Sequence, residues 1–482
     1  MNVADHLKRL EEELDLFDWR EGDAPVWELA RYSIASVASA SMPSEAVSPQ
    51  QMPRKEGNSD GFSFGTASRP DDHSSARRRL ERFRRRLSLA TKRNPLRGGH
   101  CDVALFGHPR RKQENGRWID LYADPVSVIL CKAYDVRLIE MDWNSHKKPE
   151  LTPDLRYIDD LRRQARRQTG FSQFSPVGET KNRALDEAFR AAGIEIEPSN
   201  IVRTEIDRWC RWLPIYTDLL KKLAPRAVVL VNGSHLKALV AAARRLGIPS
   251  IELQHGSPAI GKLNYDFPAG RRMETFPDFF FSFGKFWTEV SRLPLPLERT
   301  PPVGFTYLRD RVSRFPEASD AGTRIMTISQ PTCRAALAAA TLASVQRTGG
   351  AFELLWKNHP VEEKLQDDVA RALEEAGVRT LPPGADLYEA IASAGTIIGG
   401  YSTALYESVA FGRRPQIVKT GHEQLMSNLV AADAADLVCS AQEITFNRKP
   451  RADVVDSLFA MRSDSEILEK FDAAVKLGPY VA

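Results

Sequence analysis

The stretch Thr396–Val418, TIIGGYSTALYESVAFGRRPQIV, decides the fold. Its first residues, Thr396-Ile-Ile398, are β-branched and of strand type, Gly399-Gly400 then breaks the chain, and Ser402 is a residue type that starts helices. Apolar residues recur at helical spacing to Phe411, Gly412 ends the helix, and Pro415–Val418 is a second strand. Strand, tight turn, helix and strand with such short connections make a parallel pair with a crossover helix.

Reading outward, the same alternation fills the surrounding sequence. Strands are expected at Arg324–Ile328, Phe352–Lys357 and Val378–Leu381, with helices at Ala335–Thr348, Glu362–Ala376 and Asp386–Ala394 between them. Upstream the pattern runs from Asp102–Phe106 through apolar strands at Val126–Val136 and Arg137–Met141 and helices at Asn182–Ala192 and Trp209–Leu223. It continues with strand Ala227–Val231, helix Ser234–Leu246 and strand Ser250–Leu253. The expected fold class is α/β, with two Rossmann-like doubly wound domains. The expected boundaries are a helical cap over 1–40, a flexible insertion over 41–75, a basic helix over 76–99, one domain over 100–304 and a second over 305–482. The last of these ends in a helix, Asp453–Val475, free to pack back across the domain junction.

The chain has 482 residues, 42% hydrophobic, and a formal net charge of +4. That excludes a disordered chain, a fibre or a small disulfide scaffold. No apolar run reaches bilayer length and the first twenty residues lack a basic and an apolar region, so a cytoplasmic protein is expected. The five cysteines, at 101, 131, 210, 333 and 439, are too dispersed for a zinc ribbon or disulfide ladder and read as buried thiols. Ser41–Ser75 holds eight Ser, four Pro and three Gly, the composition of a mobile insertion. Arg77–Arg97 carries nine Arg and one Lys against one Glu, leaving the rest of the chain net acidic. Such a run suits an anionic lipid surface, an acidic polymer or nucleic acid, or is a solvated helix face. Nucleic acid is the least expected partner; a peripheral position on the inner face of a membrane is the expected use.

Ligands of doubly wound sheets sit outside the carboxyl ends of the strands, so residues that follow strands are the candidates. Trp356-Lys-Asn-His-Pro360 offers His359 as a donor to a phosphate, Lys357 as a nearby charge and Pro360 as the turn that starts the next helix. A His-Pro turn that merely ends a strand is the plainer alternative. In Gly399–Glu407, Gly400 lets a ligand approach the backbone, Ser402 and Thr403 present hydroxyls at a helix start, and Glu407 lies one turn on, placed for a ribose hydroxyl. Gln330 follows its own strand onto the same edge. In the first domain, Ile251-Glu-Leu-Gln-His-Gly256 places His255 to deprotonate an acceptor hydroxyl, or as a structural imidazole. Asp266 and Asp278 are candidate catalytic carboxylates. His108, Arg110 and Asp120 form a polar cluster suited to an anionic acceptor. Spacing does not rank the three aspartates. Gly-x-Gly-x-x-Gly, Walker A, Gly-x-Ser-x-Gly, His-Glu-x-x-His and Asp-x-Asp are all missing from the sequence. Neither a metal nor a cofactor is expected.

Taken together, Leu253-Gln-His-Gly256, Pro302-Val-Gly304, Lys357-Asn-His-Pro360 and Gly400-Tyr-Ser-Thr403 resemble GT-B glycosyltransferases of bacterial surface polysaccharide synthesis, over roughly residues 100 to 440. The nearest patterns are sialyl- and polysialyltransferases, Kdo transferases of capsule and lipopolysaccharide assembly, and CDP-glycerol glycerophosphotransferases. The resemblance implies a GT-B-like fold with the two Rossmann-like domains facing a cleft, His359 and Ser402–Thr403 holding the phosphate of a cytidine nucleotide, and the first domain holding a saccharide or lipid-linked acceptor. The acidic-acidic-Gly signature that carries the base in several sialyltransferases is missing, which leaves the catalytic carboxylate unassigned. The function expected is transfer of a Kdo or sialic-type sugar from a CMP-activated donor. The alternatives are glycerophosphate transfer from a CDP-alcohol, a UDP-sugar donor, or a relative that only binds polysaccharide.

Overall fold

A computed structural model describes residues 3–41, 83–84, 87, 91, 93–114, 116–140, 154–362 and 367–480. Of the expected insertion all but Ser41, and of the expected basic helix over 76–99 just over half, lie outside the described residues; the described stretch 93–99 is turn and bend, not helix. Among the described residues no helix is long and apolar enough to cross a membrane.

The chain divides into two units, Met1–Phe281 with Ser291–Pro301 and Ser463–Ala482, and Ser282–Val290 with Pro302–Arg462. Each holds a six-stranded, wholly parallel sheet. In the first, β1 (Val103–Phe106), β2 (Val136–Glu140), β3 (Asp154–Tyr157), β4 (Ala227–Val231), β5 (Ser250–Leu253) and β6 (Phe279–Phe281) lie in the order β6-β5-β4-β1-β2-β3. In the second, β7 (Arg324–Ile328), β8 (Glu353–Lys357), β9 (Arg379–Thr380), β10 (Thr396–Gly399), β11 (Gln416–Val418) and β12 (Asp436–Val438) lie in the order β9-β8-β7-β10-β11-β12. Both follow the Rossmann order, in which the winding reverses between the first and fourth strands and leaves a crevice at their carboxyl ends. The expectation of two Rossmann-like doubly wound domains is met.

Strand β4 is buried at every residue, as a strand covered on both faces must be, and so reads as an unbroken apolar run. Its cover includes helix Pro198–Leu223, which starts on a proline and buries Val202, Ile206, Trp209, Leu213, Tyr216 and Leu220 at helical spacing. Helices Val3–Glu13 and Val26–Ser41 join the same core through Leu7, Leu10, Trp27 and Ile34, so the expected cap is part of the first unit. Buried Arg31 ties them to it: its Nε reaches Glu11 Oε1 at 2.5 Å, and its Nη1 donates to the carbonyls of Leu263 and Asp266 at 2.6 and 2.8 Å.

Several expectations need correction. The five thiols are not all buried: Cys101 and Cys333 are, but Cys210 is half-buried and Cys131 and Cys439 are exposed. Two domain boundaries and the count of terminal helices also change. Ser463–Ala482 belongs to the first unit, where helix Asp464–Leu477 opens on a Ser463–Glu466 capping box and sets Phe471 against the Tyr134 ring. The single terminal helix expected is two, the other being Ala452–Leu458 in the second unit. Ser282–Val290, expected within the first domain, belongs to the second, where the Trp287 indole donates to the Leu458 carbonyl at 2.8 Å and packs on Tyr406. Two elements also differ. The apolar run after Tyr122 is a helix, Ala123–Leu130, because Asp120 Oδ1 accepts the N–H groups of Tyr122 and Ala123 and starts it. The stretch after His359-Pro360 turns before helix Asp368–Glu375, capped by Asp367, so Pro360 does not start that helix.

Candidate functional site

In the second unit the winding reverses between β7 and β10, and the residues following those strands converge. Gly399-Gly400 leads into helix Thr403–Ala410, where extended Ser402 is the N-cap and its Oγ accepts the Ala404 N–H at 3.3 Å. That oxygen keeps its own proton for a ligand. A Cβ on Gly400 would lie 2.7 Å from Cys333 Sγ, so only glycine lets the β10 turn lie this close to the turn after β7. Thr332 Oγ1 and Tyr401 Oη, 2.5 Å apart, bridge the two turns, with half-buried Gln330 beside them. Thr403 is exposed at the helix tip. Glu407, one turn on, accepts the Tyr388 phenol at 3.0 Å, so its carboxylate already has one partner.

After β8, half-buried His359 sits in a braced turn. Its backbone N–H donates to Glu362 Oε2 at 2.8 Å, and Glu362 Oε1 accepts Ser329 Oγ at 3.1 Å. The Val361 N–H points at His359 Nδ1 at 3.4 Å, which makes Nδ1 the acceptor and leaves the ring proton on Nε2. Arg334 grips the same turn, donating to Asn358 Oδ1 at 2.9 Å and to Asp367, while the Trp356 indole donates to Asn358 Oδ1 at 2.8 Å. Lys357 is the last residue of β8 and half-buried. The sequence reading missed Arg334, Asn358 and Glu362, which act on the site from beneath, and His422, which follows β11 and packs on Tyr401 at 5.2 Å between ring centroids.

In the first unit the residues after β1, β4 and β5 converge in the same way. His108 and His255 have ring centroids 5.4 Å apart, and Tyr122 packs against both. Arg110 donates to Tyr122 Oη at 2.9 Å, and its N–H donates to His108 Nδ1 at 3.1 Å. Burial, reinforced by the Arg111 and Arg110 cations, lowers the His108 pKa to about 3. His255 is likewise held well below the ordinary imidazole value, by burial first and then by His108, His235, Arg110 and Lys262. Both rings are therefore neutral at pH 7. Behind His255 lies Glu252, fully buried in β5, whose Oε1 accepts the Tyr265 phenol at 2.7 Å. Burial pushes the Glu252 carboxyl up to about 7, against the Tyr265 hydroxyl and Gly233 N–H that favour its charge. Tyr265 and Glu252 escaped the sequence reading. The available signal was a glutamate inside the buried strand Ser250–Leu253.

The three aspartates are corrected. Asp278 precedes β6 and so lies at the amino edge of the sheet, opposite the edge that β5 delivers His255 to. It is wholly buried and binds Arg244 at 2.8 Å, the Ser250 hydroxyl and N–H at 2.7 and 2.9 Å, and the Tyr480 N–H at 2.9 Å. Asp266 is also wholly buried. Burial alone would raise its pKa, but Arg292 and Lys8, 2.5 and 2.6 Å away, and the Gly261 N–H hold it below the usual carboxylate value. Asp120, expected at the acceptor, is sealed beneath the His108 turn: it accepts the His108 N–H at 2.6 Å and pairs with Arg111 at 2.5 Å. All three hold backbone in place and have no open face for substrate.

No known protein family matches the chain, and no curated protein matches it. Among solved structures, the UDP-GlcNAc 2-epimerase of Methanocaldococcus jannaschii is similar at 12% identity, over 77% of this chain and 99% of that one, with a TM-score of 0.47. The UDP-GlcNAc 2-epimerase of Neisseria meningitidis bound to UDP-GlcNAc is similar at 13% identity, over 78% and 93%, with a TM-score of 0.42. MurG of Acinetobacter baumannii is similar at 14% identity, over 79% and 95%, with a TM-score of 0.34.

Proposed function

We propose that this protein is a glycosyltransferase that moves a sugar from a nucleotide-activated donor, CMP-linked and of Kdo or sialic type, to a saccharide or lipid-linked acceptor of a bacterial surface polysaccharide. The observation that carries the reading is in the second unit. A protonated His359 Nε2 and the Ser402–Thr403 helix tip stand at the carboxyl edge of a sheet in Rossmann order, on turns braced by Glu362 and Arg334. A nucleotide phosphate fits there: the imidazole N–H and the Ser402 hydroxyl donate to it, and the helix dipole favours its charge. Lys357 adds a cation, Gln330 lines the edge and Glu407 meets the ribose beside Tyr388. As the bond from the anomeric carbon to the phosphate oxygen breaks, the electron pair goes to the phosphate, and these donors stabilise it without a metal or cofactor.

On the acceptor side, His255 is the base. It is neutral, and the carboxylates that a retaining mechanism would use as nucleophile, Asp266 and Asp278, are locked in ion pairs. The reading is therefore of direct displacement, with His255 taking the proton of the attacking hydroxyl and His108 and Arg110 holding the acceptor. The Arg77–Arg97 run would hold the enzyme against an anionic inner membrane surface.

The test is release of CMP from CMP-Kdo and from CMP-sialic acid in the presence of surface-saccharide acceptors, with the product linkage read by mass spectrometry. Wild type should release CMP and form a glycoside, while His359→Ala and His255→Ala each lose about 100-fold or more. Transfer of a glycerophosphate from a CDP-alcohol, or no turnover of any nucleotide-linked donor, would overturn the reading.

A further inference from the structure

We propose that Glu252 and Tyr265 form a proton relay behind His255, so that the acceptor's proton passes through the imidazole and the phenol to rest on the Glu252 carboxylate. The inference rests on the base role given to His255 above.

The geometry is a chain of three. Tyr265 Oη is 2.7 Å from Glu252 Oε1 and 3.2 Å from His255 Nδ1, while the direct distance from Glu252 Oε1 to that nitrogen is 3.7 Å, too long for a hydrogen bond. The phenol is therefore the link. Its loop is fixed on both sides: Arg31 holds the carbonyls of Leu263 and Asp266, and Lys8 and Arg292 hold the Asp266 side chain. This gives Asp266 a role it lacks as a nucleophile. At the other end a Cβ on Gly233 would come within 2.7 Å of Glu252 Oε2, so glycine lets that turn close over the carboxylate and give it an N–H.

The protons balance as follows. With Glu252 ionised, the phenol donates to it, Nδ1–H donates to the phenol oxygen, and Nε2 carries the lone pair that attacks the acceptor proton. When Nε2 takes that proton, Nδ1 passes its own to Tyr265 Oη, and the phenol proton moves to Glu252. The imidazole, phenol and carboxyl all end neutral. The surroundings favour this end state, because the groups facing the ring, His108, His235, Arg110 and Lys262, disfavour an imidazolium. Tyr32, Tyr122 and Glu252, which face the phenol, disfavour a phenolate.

The relay has a signature in the resting protein. Protonating Glu252 reverses every bond in the chain: the acid donates to the phenol, the phenol donates to Nδ1, and the ring proton moves to Nε2. The His255 tautomer should therefore switch from Nδ1–H above about pH 7 to Nε2–H below it, with no imidazolium forming. Nitrogen-15 NMR of His255 in the full chain reads this directly. The switch should be present in wild type and lost in both Glu252→Gln and Tyr265→Phe, each close in size to the residue it replaces. If the enzyme transfers sugar, both variants should lose about 100-fold in kcat/KM with KM little changed, and Glu252→Gln should lose the acid limb of the pH profile. A tautomer constant from pH 5 to 9, or a switch that survives Tyr265→Phe, overturns the relay. A switch that behaves as described in a protein without transferase activity keeps the relay and overturns the function proposed above.

Discussion

Replacing Asp278 with alanine should cripple the first unit's stability. Its two carboxylate oxygens receive the Arg244 guanidinium, the Ser250 hydroxyl and two backbone N–H groups, of Ser250 and Tyr480, in a fully buried site. Removing the carboxylate leaves the Arg244 charge facing a cavity and the buried Ser250 N–H without its acceptor. Breaking one partner of a buried ion pair costs about 3–5 kcal/mol, and each orphaned buried donor about 1–3. These costs overlap, so about 4 kcal/mol is the expected loss. For a unit of this size the melting temperature falls about 2 °C per kcal/mol, giving a drop of about 8 °C. The two units need not melt together, so the assay is calorimetry of the unfolding transitions, with only the transition of the first unit expected to move. Ser250 should behave as part of the same cluster: Ser250→Ala loses less alone, and the double variant less than the sum. An Asp278→Ala protein that melts within about 2 °C of wild type would refute the reasoning, and loss of all turnover in that stable protein would return Asp278 to a catalytic role.

Three further outcomes follow from the sites. Glu252 is a carboxyl raised to about 7, so the folded state binds more protons than the unfolded chain between about pH 4.5 and 7 and loses stability as pH rises through that window. Glu252→Gln should therefore gain on wild type by about 3 kcal/mol between pH 5 and pH 8, and parallel stability curves would contradict this. Gly400→Ala would place a methyl against Cys333 Sγ and should cost about 1–3 kcal/mol and weaken nucleotide binding, with Cys333→Ala restoring much of both. A double variant no better than Gly400→Ala alone would exclude that clash as the cause. Arg334→Lys keeps the charge but loses the fork that grips Asn358 and Asp367, and should weaken nucleotide binding about 10-fold; unchanged affinity would separate the brace from the site.

The sequence carries the sheets well because their central strands are fully covered: Ala227–Val231 is apolar throughout, Thr396–Gly399 is buried at every residue around Ile397-Ile398, and both run into turn residues. Val126–Val136 misleads for the same reason, since a short buried helix is as apolar as a buried strand and the Asp120 bonds that start it are tertiary facts. The edge strand Asp154–Tyr157 escapes because half of its residues are polar and only partly buried. At the site, His255, His359 and Ser402 are legible because they follow strands. Asp278 precedes a strand, Phe279–Phe281, that is not among those read from the sequence, so its place at the wrong edge shows only in the fold. Tyr265 is legible only once the chain is folded, because nothing near it in sequence says that its hydroxyl meets a glutamate thirteen residues back.

A nucleotide phosphate site on His359 and Ser402–Thr403 is open to calorimetric titration at physiological salt with CMP, CDP, UDP and GDP, on wild type and on His359→Ala. CMP should bind wild type best and lose about 10- to 100-fold in the variant, the worth of a hydrogen bond to a charged group. Nucleotide binding unaffected by His359→Ala, or no nucleotide binding to wild type, would contradict it.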